Sequence, residues 1–188
     1  MYDAVLRFAD HRFSSAILFF LSFIEAIFFP IPPDVLLIAM SMGRRSRAWL
    51  FAAITTAGSL AGGAAGYFLG KMLMSSIGQR IVDFYHAQEI FDSLEAGFQQ
   101  NAIVLLILAG FTPVPYKIFT LAAGAFAVPF PFFIVVSSCS RAARFFLLAA
   151  LITIFGEKIA NFIDRYFGIL TMLFAMFQVG GFLLLKAI

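Results

Sequence analysis

Hydrophobic residues dominate the chain in long runs, and two proline-containing segments interrupt these runs. The first segment spans residues 28–34 (FFPIPPD) and the second spans residues 111–117 (FTPVPYK). A helix breaks at such a segment because proline lacks an amide hydrogen and clashes with the preceding turn. Within a bilayer, a broken backbone is tolerated only against protein or a water-filled cavity. We therefore expect both breaks to lie inside a helix bundle, near a binding site. The predicted hairpin breaks are Pro30, Pro32, Pro33, Pro113 and Pro115.

The apolar run before the first break leads into a return limb that is too short to cross a membrane. Residues 13–29 enter, and residues 35–42 return over about 12 Å, against a hydrocarbon core of ~30 Å. The alternative is a plain transmembrane helix over residues 13–33. It would separate the arginines after the limb from those before the run, against the usual cytoplasmic excess of basic residues. These arginines are Arg44, Arg45 and Arg47 after the limb, and Arg7 and Arg12 before the run. The sequence favours a re-entrant hairpin that keeps all of them on one side.

Residues 48–70 form the first full-length span, and glycine recurs on it at every fourth position. The stripe of Gly58, Gly62, Gly66 and Gly70 would let another helix backbone approach closely. The pattern then predicts a surface helix, two short limbs around the second break, and two further spans. These cover residues 80–100, 102–112, 118–128, 132–155 and 166–185. Neither limb spans alone, although one kinked span over residues 102–128 is the alternative.

An offset of 83 residues superimposes the two breaks and makes six of sixteen positions identical between Ile24 and Ala39. Only the first hairpin returns to an arginine loop, as the charge bias predicts if the second copy is inverted. Inverted repeats with broken helices near the midplane are a transporter architecture. The predicted fold is an all-α integral membrane domain over residues 1–188. It is an inverted repeat of two re-entrant broken-helix hairpins, each followed by a transmembrane helix. Repeat 1 covers residues 1–74, the surface helix and repeat 2 cover 80–155, and a C-terminal transmembrane helix covers 166–185.

Composition supports a membrane protein, since 62% of the residues are hydrophobic and only 12% are charged, against about a quarter charged in soluble domains. Loop asymmetry explains the net charge of +3 better than nucleic-acid binding does, and it places the N-terminus in the cytoplasm. The two histidines lie away from the prolines, and no zinc, serine-hydrolase or P-loop motif is present. We therefore expect no enzymatic activity, no metal and no cofactor.

Five ionisable residues fall at membrane depth: Glu25, Asp34, Lys117, Arg141 and Arg144. A charge at the centre of a membrane helix costs on the order of 2.5–3.5 kcal/mol, so these side chains should face the interior and pair. Asp34 opens the return limb at an N-cap position. The two half-helix N-termini, with Lys117, Arg141 and Arg144, make a setting suited to the phosphate of an anionic headgroup. The alternative is mutual salt bridging that only holds the hairpins in place.

Together these features resemble the DedA superfamily, also called SNARE-associated or VTT-domain proteins. The resemblance rests on Glu25, the first break with Asp34, the glycine-rich span and the second break, and it covers residues 13–155. The short Pro-Val-Pro-Tyr-Lys segment is similar to the YqaA-like branch. Bacterial members carry arginine before and after the second break, whereas this chain has Gly110 before it and Lys117 after it.

The resemblance implies translocation of lipids: phospholipid scrambling in eukaryotic relatives, and recycling of polyprenyl-phosphate carriers, with proton coupling, in bacterial ones. On it, Glu25 and Asp34 are the acids of transport and proton coupling. The expected function is thus a flippase- or scramblase-type lipid translocator of the bacterial inner membrane, with membrane lipids and protons as partners. The alternative is a proton-coupled transporter of a small solute or ion that uses the same site.

Overall fold

A computed structural model describes residues 13–27, 33–111 and 116–156, and all regular secondary structure within these ranges is helical. This confirms the predicted all-α class for that part of the chain. The helices are α1 (Ser14–Ile27), α2 (Pro33–Gly43), α3 (Ala48–Leu73), α4 (Gln79–Phe84), α5 (Gln88–Phe111), α6 (Tyr116–Ala125) and α7 (Phe130–Gly156). A 3₁₀ turn at Arg45–Arg47 leads into α3, and a π-helical turn at Met74–Gly78 leads out of it.

The interruption between α1 and α2 and the interruption between α5 and α6 both fall at the proline-containing segments. Helix α1 ends at Ile27 and α2 begins at Pro33, while α5 ends at Phe111 and α6 begins at Tyr116. Proline is favoured at the first position of a helix, where its missing N–H has no intrahelical partner to lose. Four of the predicted breaks, Pro30, Pro32, Pro113 and Pro115, lie outside the described residues, as does the predicted C-terminal span 166–185.

Three described helices are long and apolar enough to cross a membrane: Arg45–Phe84, Gln88–Phe111 and Phe130–Gly156. The first and third contain the predicted spans. The second corrects the sequence analysis, which divided it into a surface helix ending at residue 100 and a limb beginning at 102. The helix is continuous because its sequence contains no proline, and a glycine such as Gly97 costs an exposed helix only about 1 kcal/mol.

Helix α3 is the axis against which two shorter helices pack end to end. Helix α1, of 14 residues, lies along the first half of α3, and α6, of 10 residues, lies along the second half in the same direction. Their combined length is about 36 Å, close to the roughly 39 Å of the 26-residue α3. The end of α1 therefore meets the beginning of α6 beside the middle of α3.

The predicted glycine stripe lies in both of these helix contacts. A Cβ atom at Gly58 or Gly62 would strike the backbone of α1, at the carbonyl oxygens of Phe19 and Phe23. At Gly70 it would strike the carbonyl oxygen of Leu121 on α6, and at Gly66 it would meet the side chain of Thr120 on the same helix. On α1, the facing positions Ser22 and Ala26 are small and fully buried. Small residues on both sides thus allow the backbones to touch.

Buried apolar residues form three clusters that follow one another along α3. The first joins α1, α2, α3 and α7, and includes Leu18, Met40, Phe51 and Phe145. The second joins α3, α5, α6 and α7, and comprises Tyr67, Leu106, Ala123, Val128 and Phe133. Between them, Ala26, Ala109 and Tyr116 form a small cluster from the ends of α1 and α5 and the start of α6. Three helix ends therefore meet between the two larger apolar clusters.

We predict opposite effects of adding a methyl group at two glycines. Gly62→Ala should lower the free energy of unfolding by about 2 kcal/mol, because the new Cβ strikes backbone atoms of α1 that cannot rotate away. Gly97→Ala, the matched control on α5, meets nothing within 4 Å and should raise stability by up to about 1 kcal/mol through helix propensity. Thermal unfolding in detergent measures both, and an equal response of the two variants would contradict the packing described for Gly62.

Candidate charged site

Four helix ends converge on the middle of α7, and the predicted ionisable residues lie at this point. Glu25 is near the end of α1, Asp34 is in the first turn of α2, and Lys117 is in the first turn of α6. Arg141 and Arg144 lie near the centre of α7. The tertiary structure thus brings residues from distant parts of the sequence into one charged cluster.

Arg141 is buried and held on every side. Its Nε donates a hydrogen bond to Ser59 Oγ on α3 at 2.7 Å, and its Nη2 donates to Glu25 Oε2 at 3.3 Å. The guanidinium carbon lies 4.7 Å from the ring centroid of Tyr116 and 4.8 Å from that of Phe145. Only 3% of Arg141 is exposed. Aromatic faces attract a desolvated guanidinium, so these contacts hold the side chain in one position.

Arg144 makes a different kind of pair. Its Nε and Nη2 donate to the two carboxylate oxygens of Asp34, at 3.0 and 2.7 Å, which is the bidentate geometry that a guanidinium prefers. The side chains of Arg144 and Asp34 remain 18% and 16% exposed. Nη1 also approaches the carbonyl oxygen of Phe111, at 3.5 Å. This pair lies at the edge of the bundle, whereas Arg141 lies inside it.

The first turns of α2 and α6 carry opposite charges at equivalent positions. The sequence analysis placed Asp34 at the N-cap of the return limb. Helix α2 instead begins at Pro33, so Asp34 is its second residue. An acid there is favourable beside the positive end of the helix dipole, whereas Lys117 in the first turn of α6 is not. Lys117 also contributes to the electrostatic environment of Glu25, at the neighbouring end of α1.

All five predicted ionisable residues belong to the cluster, and the structure decides their pairing as Glu25 with Arg141 and Asp34 with Arg144. Sequence reasoning assigned no role to three other residues around Arg141: Ser59, Tyr116 and Phe145. Tyr116 stands inside the second proline-containing segment, and Ser59 is adjacent to Gly58 of the stripe. These positions in the sequence could have drawn attention to Tyr116 and Ser59. Phe145 gave none, because it is one of 26 phenylalanines.

A cleft of about 290 Å³ lies elsewhere, between α5 and the start of α7. Gln99, Ala102, Val128, Pro129 and Phe132 line it, and it contains none of the predicted site residues. Within the described ranges, no three His, Cys, Asp or Glu side chains are grouped so that they could hold a metal ion. The charged cluster is therefore the candidate functional site.

Comparison with known proteins gives a family for this arrangement. The model of the VTT domain matches residues 29–154, which include nearly all of both helix interruptions and four of the five clustered charges. The chain belongs to the DedA/VTT family. Two similar proteins are described as uncharacterized. One, from Haemophilus influenzae, is 38% identical over 186 residues, covering 99% of this chain and 96% of its own. The other, from Histophilus somni, is 37% identical over 160 residues, covering 85% of this chain and 83% of its own. No solved structure matches this chain significantly.

Family membership and the long apolar helices indicate that this is an integral membrane protein, with a function in membrane transport or lipid handling. The family is regarded as one of membrane transporters. The charges at the centre of α7 are consistent with this, because ionisable residues inside membrane proteins are costly and mark transport pathways.

We predict that the observed pairing can be measured as an energetic coupling. Asp34→Asn and Arg144→Gln should each lower stability by about 2 kcal/mol, since each breaks a bidentate, charge-assisted contact between partly buried groups. The double variant should recover at least half of the summed loss. The matched control combines Glu25→Gln with Arg144→Gln, residues from different pairs, and its effects should be closer to additive. Thermal unfolding in detergent measures both cycles, and equal coupling in the two would contradict the assignment of partners.

Proposed function

We propose that the protein translocates a lipid with an anionic phosphate headgroup across the membrane, and that Arg144 binds the phosphate. The observation that carries the proposal is the bidentate grip of Arg144 on Asp34 at the edge of the bundle. A guanidinium fork fits phosphate and carboxylate oxygens in the same way. Asp34 therefore holds the place that the headgroup takes during transport.

The electrostatics of the cluster favour one bound anion. Its two acids, Glu25 and Asp34, face three bases, Lys117, Arg141 and Arg144, so one positive charge is in excess. The beginnings of α2 and α6 add the positive ends of two helix dipoles at the same place. Helix N-termini of broken helices bind anionic substrate groups in other transporters.

The two arginines have separate roles in this proposal. Arg141 is held by Ser59, Glu25 and two aromatic rings, so releasing it would break several contacts at once. Arg144 is more exposed than Arg141 and grips Asp34 through both carboxylate oxygens. We assign Arg144 to the headgroup and Arg141 to the control of Glu25, the proposed proton-coupling acid.

A lipid fits the site better than a small solute because the site borders the outer surface of the bundle. Arg144 reaches the carbonyl oxygen of Phe111, and 46% of Phe111 is exposed. In a bilayer such a surface faces lipid chains. A headgroup could enter from the side while its acyl chains stay in the membrane, as lipid translocation requires.

The proposal includes the inverted repeat of two re-entrant hairpins. The offset of 83 residues that aligns the breaks also carries Pro33, the start of α2, onto Tyr116, the start of α6. It carries Ile27 to within one residue of the end of α5, and Ala48 to within one residue of the start of α7. The same offset carries Asp34 onto Lys117. Matching helix ends at a single offset support a common repeat unit.

The packing supports hairpins that enter the membrane and return. Leu18 near the start of α1 and Met40 near the end of α2 share one apolar cluster with Ala149, which lies toward the end of α7. The end of α1 and the start of α2 instead meet the arginines at the centre of α7. In the second repeat, α5 ends at Phe111 beside Arg144, level with the middle of α7. We therefore place the helix ends that flank both interruptions near the midplane of the bilayer.

We predict that Arg144→Lys will slow lipid translocation about tenfold while leaving assembly intact, because lysine offers phosphate a point charge instead of a fork. The assay uses proteoliposomes that contain either a fluorescent anionic phospholipid or a fluorescent glycolipid without phosphate. Arg47→Lys, an exposed loop arginine, is the matched control and should transport normally.

Equal translocation by Arg144→Lys and wild type would remove Arg144 as the phosphate ligand. Equal movement of the glycolipid and the phospholipid would remove phosphate recognition. Uptake of a small solute without any lipid translocation would favour the alternative function, a proton-coupled solute or ion transporter with the same site.

The predicted topology can be tested with single introduced cysteines. They are placed in a Cys139→Ser background, because the native Cys139 is exposed and unpaired and would react as well. Ser46→Cys and Phe155→Cys lie at the same end of the bundle, where Arg45 packs against Gly156. Both should react with a membrane-impermeant maleimide from the cytoplasmic side. Tyr85→Cys, beyond the far end of α3 and 72% exposed, should react from the opposite side. Labelling of Ser46→Cys and Tyr85→Cys from one side would exclude the proposed arrangement.

A further inference from the structure

The geometry points to Tyr116 as a positioning residue that connects the second hairpin to the Glu25–Arg141 pair through its aromatic ring. Gly63 leaves the space that the hydroxyl group of Tyr116 occupies. This inference rests on the proposed function for its effect on transport, whereas the contact itself can be tested without any transport assay.

Tyr116 is a described residue of the second hairpin that contacts the buried pair. It is the first residue of α6, directly after the second interruption, and only 1% of it is exposed. The guanidinium of Arg141 lies over its ring at 4.7 Å, and it also lies 4.8 Å from the ring centroid of Phe145. A displacement of the start of α6 would therefore change the environment of Arg141, and through it that of Glu25.

The hydroxyl group of Tyr116 has different neighbours from the face of its ring. It lies close to the hydroxyl group of Ser137 on α7, without a hydrogen bond of good geometry, and beside Gly63 on α3. The contact with Arg141 is made by the ring. The two parts of the side chain can therefore be tested separately.

Gly63 on α3 makes room for this arrangement. A Cβ atom at position 63 would lie 2.8 Å from the Tyr116 hydroxyl oxygen and 3.0 Å from Cε1 of the ring. The glycines of the stripe approach α1 or the second turn of α6, whereas the nearest neighbours of Gly63 are atoms of the Tyr116 side chain. A glycine at position 63 therefore leaves room for Tyr116.

The functional test compares Tyr116→Leu, which removes the aromatic face, with Tyr116→Phe, which removes only the hydroxyl group. In proteoliposomes, Tyr116→Leu should lower the maximal rate at least tenfold per folded protein, with the apparent affinity for the fluorescent anionic phospholipid unchanged. Tyr116→Phe should keep at least half of the rate. Phe133→Leu is the matched control, because it shortens an equally buried aromatic residue of α7 in another cluster and should leave the rate per folded protein unchanged.

Normal transport per folded protein by Tyr116→Leu would overturn the inference. Equal losses in Tyr116→Leu and Tyr116→Phe would also overturn it, because the hydroxyl group would then be the active part.

A stability cycle tests the contact even if the protein translocates no lipid. Tyr116→Leu and Arg141→Met should each lower the melting temperature in detergent, and the double variant should fall by clearly less than the sum, because the second change removes a contact that is already lost. Additive shifts would show that the ring does not hold Arg141, whatever the transport result.

A second double-mutant cycle tests the contact between Gly63 and the hydroxyl group of Tyr116. Gly63→Ala should lower the melting temperature, and adding Tyr116→Phe should restore part of the loss by removing the atom that the new methyl group meets most closely. No recovery would overturn the assignment of Gly63.

Discussion

Arg141 carries a charge into the interior of an apolar helix bundle, and the surrounding structure depends on how that charge is neutralised. An arginine at the centre of a membrane helix costs on the order of 2.5–3.5 kcal/mol when it is measured by insertion. Here Ser59 on α3, Glu25 on α1 and the ring of Tyr116 on α6 all contact the guanidinium from α7. Four helices are thus held in one arrangement by a single side chain.

The second pair, Arg144 with Asp34, has similar chemistry but a different position, and this difference is the basis for the proposed mechanism. Breaking a buried pair leaves an uncompensated charge in a medium of low dielectric constant, which is strongly unfavourable. A pair at the edge of the bundle can instead exchange one anionic partner for another. In the proposed mechanism, Arg141 therefore maintains the site and Arg144 binds the incoming headgroup.

These charges can converge only because the helices approach one another closely. Helix α3 has glycine where α1 and α6 press against it, so two half-length helices fit end to end along one long helix. Larger residues along this stripe would push α1 and α6 outward. Glu25 would then move away from Arg141, and Tyr116 would lose its place under the guanidinium. The charge pairing therefore depends on the close packing of the helix backbones.

The continuous helix α5 shows where local patterns were insufficient. The polarity of residues 80–100 differs from that of the limb that follows, and the pattern therefore divided them. Polarity records what surrounds each side chain, however, whereas helix continuity depends on whether the backbone hydrogen bonds are interrupted. No proline interrupts them before the second break, so the helix passes from a polar into an apolar environment without ending.

The sequence by itself predicted an integral membrane protein of helices and breaks near two proline-containing segments, both of which the described residues bear out, and it singled out the five ionisable residues that stand in long apolar runs. Composition, proline geometry and the cost of buried charge are properties of local sequence, so they could be read without coordinates. The tertiary structure alone decided that Glu25 pairs with Arg141 and Asp34 with Arg144, and that Tyr116 lies beneath Arg141. Either acid could have paired with either base, since Arg141 and Arg144 share one face of α7. The choice depends on where the ends of α1, α2 and α6 meet α7 in space, which no local pattern records.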